Sequence, residues 1–131
     1  MRDHAPEPQC RFCLENGLLA DEPVFANASH YFLMSIDPML PVAGMIIPFR
    51  HSETPFTLTP TEWQDLGDML DRAKAHFAVH EPAGYTIGWN VGAVAGQHVF
   101  HAHLHVICRF PGGHDEGVGL RRVIRKVEPT Q

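Results

Sequence analysis

One stretch of the sequence constrains the fold more than any other, an alternation of histidine with apolar residues in the last third of the chain. Residues 96–110 read GQHVFHAHLHVICRF, and three histidines occupy every second position: His101, His103 and His105. The intervening positions are apolar: Phe100, Ala102, Leu104 and Val106. Because successive side chains of a strand point to opposite faces, the pattern predicts a strand over about residues 99–110. Its apolar face is expected to pack on the core and its histidine face to carry the chemistry.

The clearest helix signal follows residue 58. Thr59, Pro60 and Glu62 fit the N-cap, first and third positions of a capping box with proline at the first helical position. Five apolar residues then recur at three- and four-residue steps: Trp63, Leu66, Leu70, Ala73 and Phe77. This spacing predicts a helix ending near residue 80, with one apolar stripe that serves either the core or a subunit interface.

The remaining elements indicate an α+β domain. Residues 23–36 fit two short strands around a turn at Asn27–Ser29, residues 43–48 fit a buried strand, and residues 85–92 fit another. Residues 118–127 are predicted to form a short final strand or arm. The order β-β-β-α-β-β is typical of a mostly antiparallel sheet of about five strands with one long helix.

Composition narrows the class of protein. The chain has 131 residues, which fits a flexible N-terminal tail over residues 1–9 and one domain over residues 10–131. The formal net charge of −5 supplies no basic field for nucleic acid. Three cysteines, an odd number, argue against a disulfide framework. Without a signal peptide or a long apolar run, the sequence predicts a soluble cytoplasmic protein with neither membrane nor nucleic-acid partners.

Three imidazoles on one strand face could perform three kinds of chemistry. A neutral imidazole is a nucleophile near pH 7, an imidazolium holds phosphate oxygens or protonates a leaving group, and imidazole binds metals such as zinc. The alternative without function is a solvent-exposed strand whose polar face happens to be histidine. Strict alternation beside a glycine-rich loop favours a functional site.

The histidine stretch and its surroundings resemble a known family. Residues 101–107, HAHLHVI, match the histidine-triad pattern of three histidines separated by apolar residues. Gln97 stands four residues before the first of these histidines and Asn90 seven before Gln97, as in that family. Residues 35–51 and 118–126 resemble further family segments. The chain therefore resembles the histidine-triad (HIT) family, in particular small bacterial HIT hydrolases and Hint-like nucleotide-binding proteins, over about residues 10–126.

The resemblance implies a HIT-like fold with a short N-terminal helix or turn, a homodimer, and an enzyme. It implies hydrolysis or transfer at the α-phosphate of a dinucleoside polyphosphate or nucleotide conjugate, through a covalent nucleotidyl-histidine that water resolves to a nucleoside monophosphate. By the same resemblance, His103 is the nucleophile and His105 contacts the phosphoryl or bridging oxygen. Gln97 donates an amide N–H to the phosphate or leaving group, and Asn90 lies near the phosphates.

Two positions depart from the family pattern. His98 stands where the family usually has a hydroxyl residue that donates to the leaving group, so a histidine there could shift preference towards polyphosphates or point to solvent. Ser35 stands where an acidic residue usually accepts from the ribose hydroxyls, and a neutral acceptor is weaker. Ile36 matches an apolar position beside the base. Purine nucleotides are expected by analogy.

A metal site is the second implication of the resemblance. Cys10 and Cys13 form C-x-x-C, which alone is a weak zinc signal. Some family members add a histidine at the position of His51 and the first triad histidine, His101. These four residues are therefore the expected ligands of a structural zinc, and otherwise the two histidines support the nucleophile. No organic cofactor is expected, and Cys108 is predicted to be a packed core residue.

Two other functions remain open from the sequence. The histidine cluster could hold a catalytic metal in a metal-dependent hydrolase, which leaves the Asn90 and Gln97 matches unexplained. The chain could also be a nucleotide-binding protein with little catalysis, an alternative that the changes at Ser35 and His98 support, since fold does not determine function.

Overall fold

The computed structural model describes residues 5–39, 42–113 and 115–124, with only the backbone for Val123 and Ile124. Five strands form one antiparallel sheet in the order β1-β2-β3-β5-β4. The strands are β1 Phe25–Ala26, β2 His30–Met34, β3 Ala43–Pro48, β4 Gly84–Gly88 and β5 Leu104–Arg109. The long helix α1 spans Pro60–Phe77 between β3 and β4, and α2 spans Arg121–Ile124. The predicted α+β class and element order are confirmed.

Short 3₁₀ helices connect these elements: Leu14–Asn16, Pro55–Thr57, Ala78–His80 and Ala93–Ala95. The first of them is the short N-terminal helix that the resemblance implies. Among the described residues, no helix has the length and apolar character needed to cross a membrane.

The two faces of the sheet carry separate apolar clusters. One face packs against α1 through buried residues that include Phe32, Ile46, Leu104 and Val106. The other face is covered by the N-terminal segment, whose Phe12 packs with the sheet residues Tyr31, Leu33 and Ile47. Since Leu104 and Val106 face α1, His105 between them faces the N-terminal segment. The fold thus places the histidine face between the sheet and residues 10–13.

Helix α1 begins as the sequence predicts but buries a different stripe. The Thr59 side chain accepts from the Glu62 N–H, and the Glu62 carboxylate accepts from the Thr59 N–H. Arg50 also donates two hydrogen bonds to that carboxylate. This ion pair turns Glu62 towards the protein, so the buried residues are Glu62, Leu66, Met69, Ala73 and Phe77.

Trp63, the first residue of the predicted apolar stripe, is not part of the core. Its side chain is 46% exposed and contacts Trp89 edge-on at 5.7 Å between ring centroids. Leu70 is partly buried against the helix-side core. The predicted stripe thus divides, with Leu66, Ala73 and Phe77 in the core and Trp63 on the surface.

The histidine strand is shorter than predicted, because β5 begins at Leu104 rather than near residue 99. β3 pairs with β5 only up to Ile46 and Leu104, and Pro48 at the end of β3 has no N–H to extend the ladder. Ala102 instead donates its N–H to the Ser52 carbonyl. Ala102, Leu104 and Val106 are buried as predicted, whereas Phe100 precedes the strand and is 48% exposed.

The final segment also differs from its prediction. Residues 121–124 form the short helix α2 rather than a strand, and residues 125–127 lie outside the described part of the chain. Cys108 lies in the helix-side core, which confirms its predicted packing role.

A pair of glycine substitutions tests the packing of the sheet on α1. A Cβ added at Gly44 in β3 would lie 2.8 Å from Phe32 Cε1 and closer still to Cζ. The Phe32 ring cannot yield, since it is fully buried between Phe25 and Phe77. We therefore expect Gly44→Ala to lower the free energy of unfolding by about 1–3 kcal/mol in urea titrations.

Gly67→Ala is the matched control for this substitution. Gly67 is exposed within α1, and a Cβ there would meet nothing within 4 Å. The same glycine-to-alanine change should raise the free energy of unfolding by about 0.5–1 kcal/mol. Equal stability of the two variants would contradict the close contact at Gly44.

Candidate active site

His103 lies immediately before β5 with its tautomer fixed by the backbone. Its Nδ1 atom is 2.8 Å from the carbonyl oxygen of His101. Because a carbonyl only accepts hydrogen bonds, Nδ1 must carry the proton and donate it, which leaves a lone pair on Nε2. The sequence predicted such a carbonyl without identifying it, and the structure places it two residues upstream in the same histidine stretch.

The surroundings of His103 keep its imidazole neutral. Burial lowers the pKa of His103, and nearby Arg11 and His98 lower it further against the opposing effect of the carbonyl bond. An imidazole with a lowered pKa remains unprotonated at pH 7, so Nε2 keeps the lone pair that a nucleophile needs.

His105 is the partner of His103 on the same face. The two ring centroids are 5.0 Å apart with an interplanar angle of 69°. His105 sits on β5 opposite Met45 of β3 and Gly88 of β4. Burial, followed by the neighbouring His103, lowers its pKa. Gly88 has no side chain, and a Cβ there would meet nothing within 4 Å, so the space beside His105 stays open.

His101 is fully buried and faces a different set of groups. Its Nε2 donates to the Pro48 carbonyl at 2.7 Å, so Nδ1 carries the lone pair. That Nδ1 lies 3.2 Å from His51 Nδ1, 3.4 Å from Cys10 Sγ and 3.6 Å from Cys13 Sγ. The four ligand atoms all lie within 4.8 Å of one another. The residues predicted as metal ligands therefore form one cluster.

The spacing of this cluster fits a tetrahedral metal ion. Zn–N bonds of about 2.0–2.1 Å and Zn–S bonds of about 2.3 Å place tetrahedral ligand atoms roughly 3.3–3.8 Å apart. Four of the distances between ligand atoms, 3.2–3.6 Å, are close to that range. Burial raises the pKa of Cys13 to about 11 and, with nearby charges, lowers that of His101 to about 4. A dication bound by these residues would displace the thiol protons and would meet an imidazole that is already neutral.

Gln97 is buried and makes contacts that differ from its predicted role. Its Nε2 donates to the Glu53 and Val99 carbonyls at 2.7 and 3.1 Å, and its Oε1 accepts from the Gly92 N–H at 2.8 Å. Both amide hydrogens are thus used by the backbone, and none is left for a phosphate in this arrangement. Gln97 instead fixes the loop before the histidines, whose Gly92 and Gly96 have positive φ angles of 88° and 96°.

Asn90 and His98 lie at the two ends of that loop. The Asn90 side chain is exposed and packs near Gly96, since a Cβ on Gly96 would lie 3.8 Å from the amide group. His98 is also exposed, and it lies close enough to His103 to lower the pKa of that imidazole. Both side chains are therefore exposed, with polar atoms available to a ligand.

Ser35 and Ile36 lie past the end of β2 on the far side of the site. The Ser35 hydroxyl accepts from the Asp37 N–H at 3.2 Å, and its own N–H continues the ladder to Ala43. Ile36 is 68% exposed and lines a shallow apolar depression with Leu33 and Met45. Ser35 does not line that depression.

Two residues of the site escaped the sequence prediction. Phe12 packs edge-on against His103 at 5.0 Å between ring centroids, and the Arg11 guanidinium lies 5.6 Å from the centroid of the same Phe12 ring. Their position inside C-x-x-C was the available signal, because a cysteine cluster that includes His101 brings residues 11 and 12 to the triad.

A family model and several similar proteins all indicate the same family. The HIT domain model matches residues 19–112. An uncharacterized HIT-like protein of Methanocaldococcus jannaschii is 28% identical over 91% of this chain and 98% of its own length. A HIT family hydrolase from Clostridium thermocellum is 27% identical, with a TM-score of 0.69 over 88% of this chain and 99% of that one. A zinc-bound histidine triad family protein from Mycobacterium smegmatis is 26% identical, with a TM-score of 0.68 over 79% and 77% of the two chains.

Proposed function

The chain belongs to the HIT domain family, and we propose that it cleaves nucleotides at the α-phosphate through a nucleotidyl intermediate on His103. The observation that carries the proposal is the hydrogen bond from His103 Nδ1 to the His101 carbonyl. That bond leaves a neutral Nε2 on the partly open face of the triad. A small nucleotide substrate agrees with the family and with an overall charge of −5, which gives no extended basic surface.

The first step is displacement at phosphorus. The Nε2 lone pair attacks the α-phosphorus, a P–N bond forms, and the bond from phosphorus to the leaving group breaks. The imidazole becomes cationic as the new bond forms, and its Nδ1–H remains hydrogen-bonded to the His101 carbonyl. A fixed carbonyl dipole aimed at a developing positive charge stabilises the transition state without reorganisation.

The second step returns the enzyme to its resting state. Water attacks the same phosphorus, the P–N bond breaks, and the electron pair returns to His103 Nε2 as the nucleoside monophosphate leaves. His105, 5.0 Å away between ring centroids, is the neighbouring imidazole that contacts the phosphoryl or bridging oxygen. His98 and Asn90 stand at the loop where the leaving group departs and are proposed to contact substrate there.

The four-residue cluster of Cys10, Cys13, His51 and His101 is proposed to hold a structural zinc. When bound, the ion supplies a cross-link between the N-terminal segment and the backbone before β5. The zinc-bound M. smegmatis relative supports this assignment. Structural zinc sites are closed by four protein ligands, whereas catalytic sites keep an open position. His103 and His105 lie outside the cluster, which disfavours the alternative of a metal-dependent hydrolase.

Substitution of the nucleophile tests the proposed reaction. Diadenosine polyphosphates and adenylylated amines are incubated with the wild type and with His103→Ala, and monophosphate release is measured. We expect the wild type to release AMP from at least one class, and His103→Ala to lose roughly 10⁴-fold or more of that rate because no covalent intermediate can form. His80→Ala, an exposed histidine after α1, is the matched control and should keep full activity.

The outcomes separate the candidate functions. If a folded His103→Ala protein retains turnover, His103 is not the nucleophile. Nucleotide binding by the wild type without monophosphate release would instead support the binding protein with little catalysis.

Metal content tests the cluster independently of turnover. The purified wild type should carry about one zinc ion per chain by elemental analysis, and Cys13→Ser should lose it and unfold at a lower temperature, because ligand loss uncouples the N-terminal segment. Cys108→Ala changes the third cysteine, which lies in the core away from the cluster, and should retain the zinc. Full zinc occupancy in Cys13→Ser would exclude the proposed ligand set.

A further inference from the structure

We propose that Arg11 contacts the reacting phosphate and supplies the positive charge that the histidines lack. This inference rests on the proposed function. It concerns a residue that lies between two metal ligands in the sequence but whose side chain is exposed to solvent. A nucleophilic imidazole attacks only in its neutral form, so His103 brings no positive charge to the phosphate before bond formation. A cation from another part of the chain is therefore needed to offset the phosphate oxygens.

Two surface depressions meet at Arg11. The first is shallow and mostly apolar, with a volume of about 30 Å³, so a nucleobase would lie against it rather than enter it. Apart from Arg11 and Asp21, its lining is apolar: Leu19, Ala20, Leu33, Met34, Ile36 and Met45. The second is a more polar cleft of about 410 Å³ that includes His51, His98 and Phe100. Arg11 is the one residue that lines both depressions.

This shared position matches the geometry of a nucleotide conjugate. The nucleoside is the part that suits an apolar surface, the leaving group is the part that His98 faces, and the α-phosphate joins them. The group that joins two depressions lies where they meet, which is the position of Arg11. Two carboxylates, Glu7 and Glu53, also line the cleft. They repel phosphate groups inside the cleft, whereas Arg11, which also lines the apolar depression, offers a positive charge to the reacting phosphate.

The contacts of Phe12 place the Arg11 guanidinium close to His103. Arg11 and His103 contact the same phenyl ring, Phe12, at 5.6 Å and 5.0 Å from its centroid. The charge of Arg11 is close enough to act on His103. Arg50 is the other arginine whose charge reaches the histidines, but the Glu62 carboxylate and the Thr57 carbonyl already occupy its guanidinium. No carboxylate among the described residues forms an ion pair with Arg11.

A guanidinium suits this task because its planar N–H groups bind phosphate oxygens in pairs. Its permanent charge interacts with the non-bridging oxygens in the ground state. The interaction persists as the phosphorus becomes five-coordinate. On this account Arg11 touches the substrate, whereas Gln97 and Phe12 act by positioning other groups.

Ligand binding tests the inference without relying on turnover. AMP and GMP, and the corresponding nucleosides adenosine and guanosine, are titrated by calorimetry into the zinc-loaded wild type, Arg11→Gln and Arg11→Lys. We expect Arg11→Gln to weaken binding of the monophosphate about tenfold to a hundredfold, as for the loss of charged hydrogen bonds. Nucleoside affinity should not change. Arg11→Lys should fall between the two, since it keeps the charge but loses the paired geometry.

A matched variant controls for the change in net charge. Lys74→Gln removes one positive charge from the exposed face of α1 and should bind both ligands like the wild type. Zinc content and melting temperature of each variant report whether the neighbouring cysteines are disturbed.

The two proposals fail in different ways. If the wild type binds neither monophosphate, the proposed nucleotide function is contradicted. If the wild type binds a monophosphate and Arg11→Gln binds it equally well, or loses nucleoside affinity to the same extent, the role of Arg11 is contradicted while the function stands.

Discussion

Three polar groups of His101 make separate contacts, and the geometry of the site depends on all three. Its ring Nε2 donates to the Pro48 carbonyl, its ring Nδ1 points at two thiols and His51, and its own carbonyl accepts from His103. The bond to the Pro48 carbonyl fixes the tautomer that leaves a lone pair on Nδ1 for the cluster. The bond from His103 fixes the tautomer of that proposed nucleophile. One residue thus couples the end of β3, the N-terminal segment and the reacting imidazole.

The sheet provides the rigidity on which this arrangement relies. The odd-numbered histidines face the N-terminal segment because Leu104 and Val106 are anchored on the opposite face in the core with α1. β5 lies between β3 and β4, so His105 is held by hydrogen-bonded neighbours on both sides. His103 sits just outside the ladder, where its ring can reach the carbonyl of His101. The proposed nucleophile therefore combines a fixed backbone with a face that remains open.

Local signals predicted the elements well, and long-range contacts caused the differences. The capping box at Thr59 and the alternation at Leu104 and Val106 are encoded within a few residues, and both predictions are confirmed. The exposure of Trp63 follows from an ion pair between Glu62 and Arg50, twelve residues apart, which no helical periodicity contains. The histidine strand begins later than predicted because β3 brings Pro48 opposite the residues before Leu104.

The site shows the same division. The cluster of Cys10, Cys13, His51 and His101 agrees with the set implied by the family resemblance. Gln97 could not be assigned from its position alone, because its partners are carbonyls of Glu53 and Val99 and the N–H of Gly92. The position of Arg11 near His103 depends on how the N-terminal segment folds over the sheet, which is a long-range contact.

The tautomer of His103 tests the central claim most directly. Long-range nitrogen–proton correlation spectra of the zinc-loaded protein at pH 7 distinguish a protonated from an unprotonated nitrogen in each imidazole, and His103→Gln assigns the signals. The account predicts a protonated Nδ1 and an unprotonated Nε2 on His103, with the Nδ1 proton protected by its hydrogen bond to the His101 carbonyl. A His103 protonated on Nε2, or a doubly protonated ring at pH 7, would contradict it.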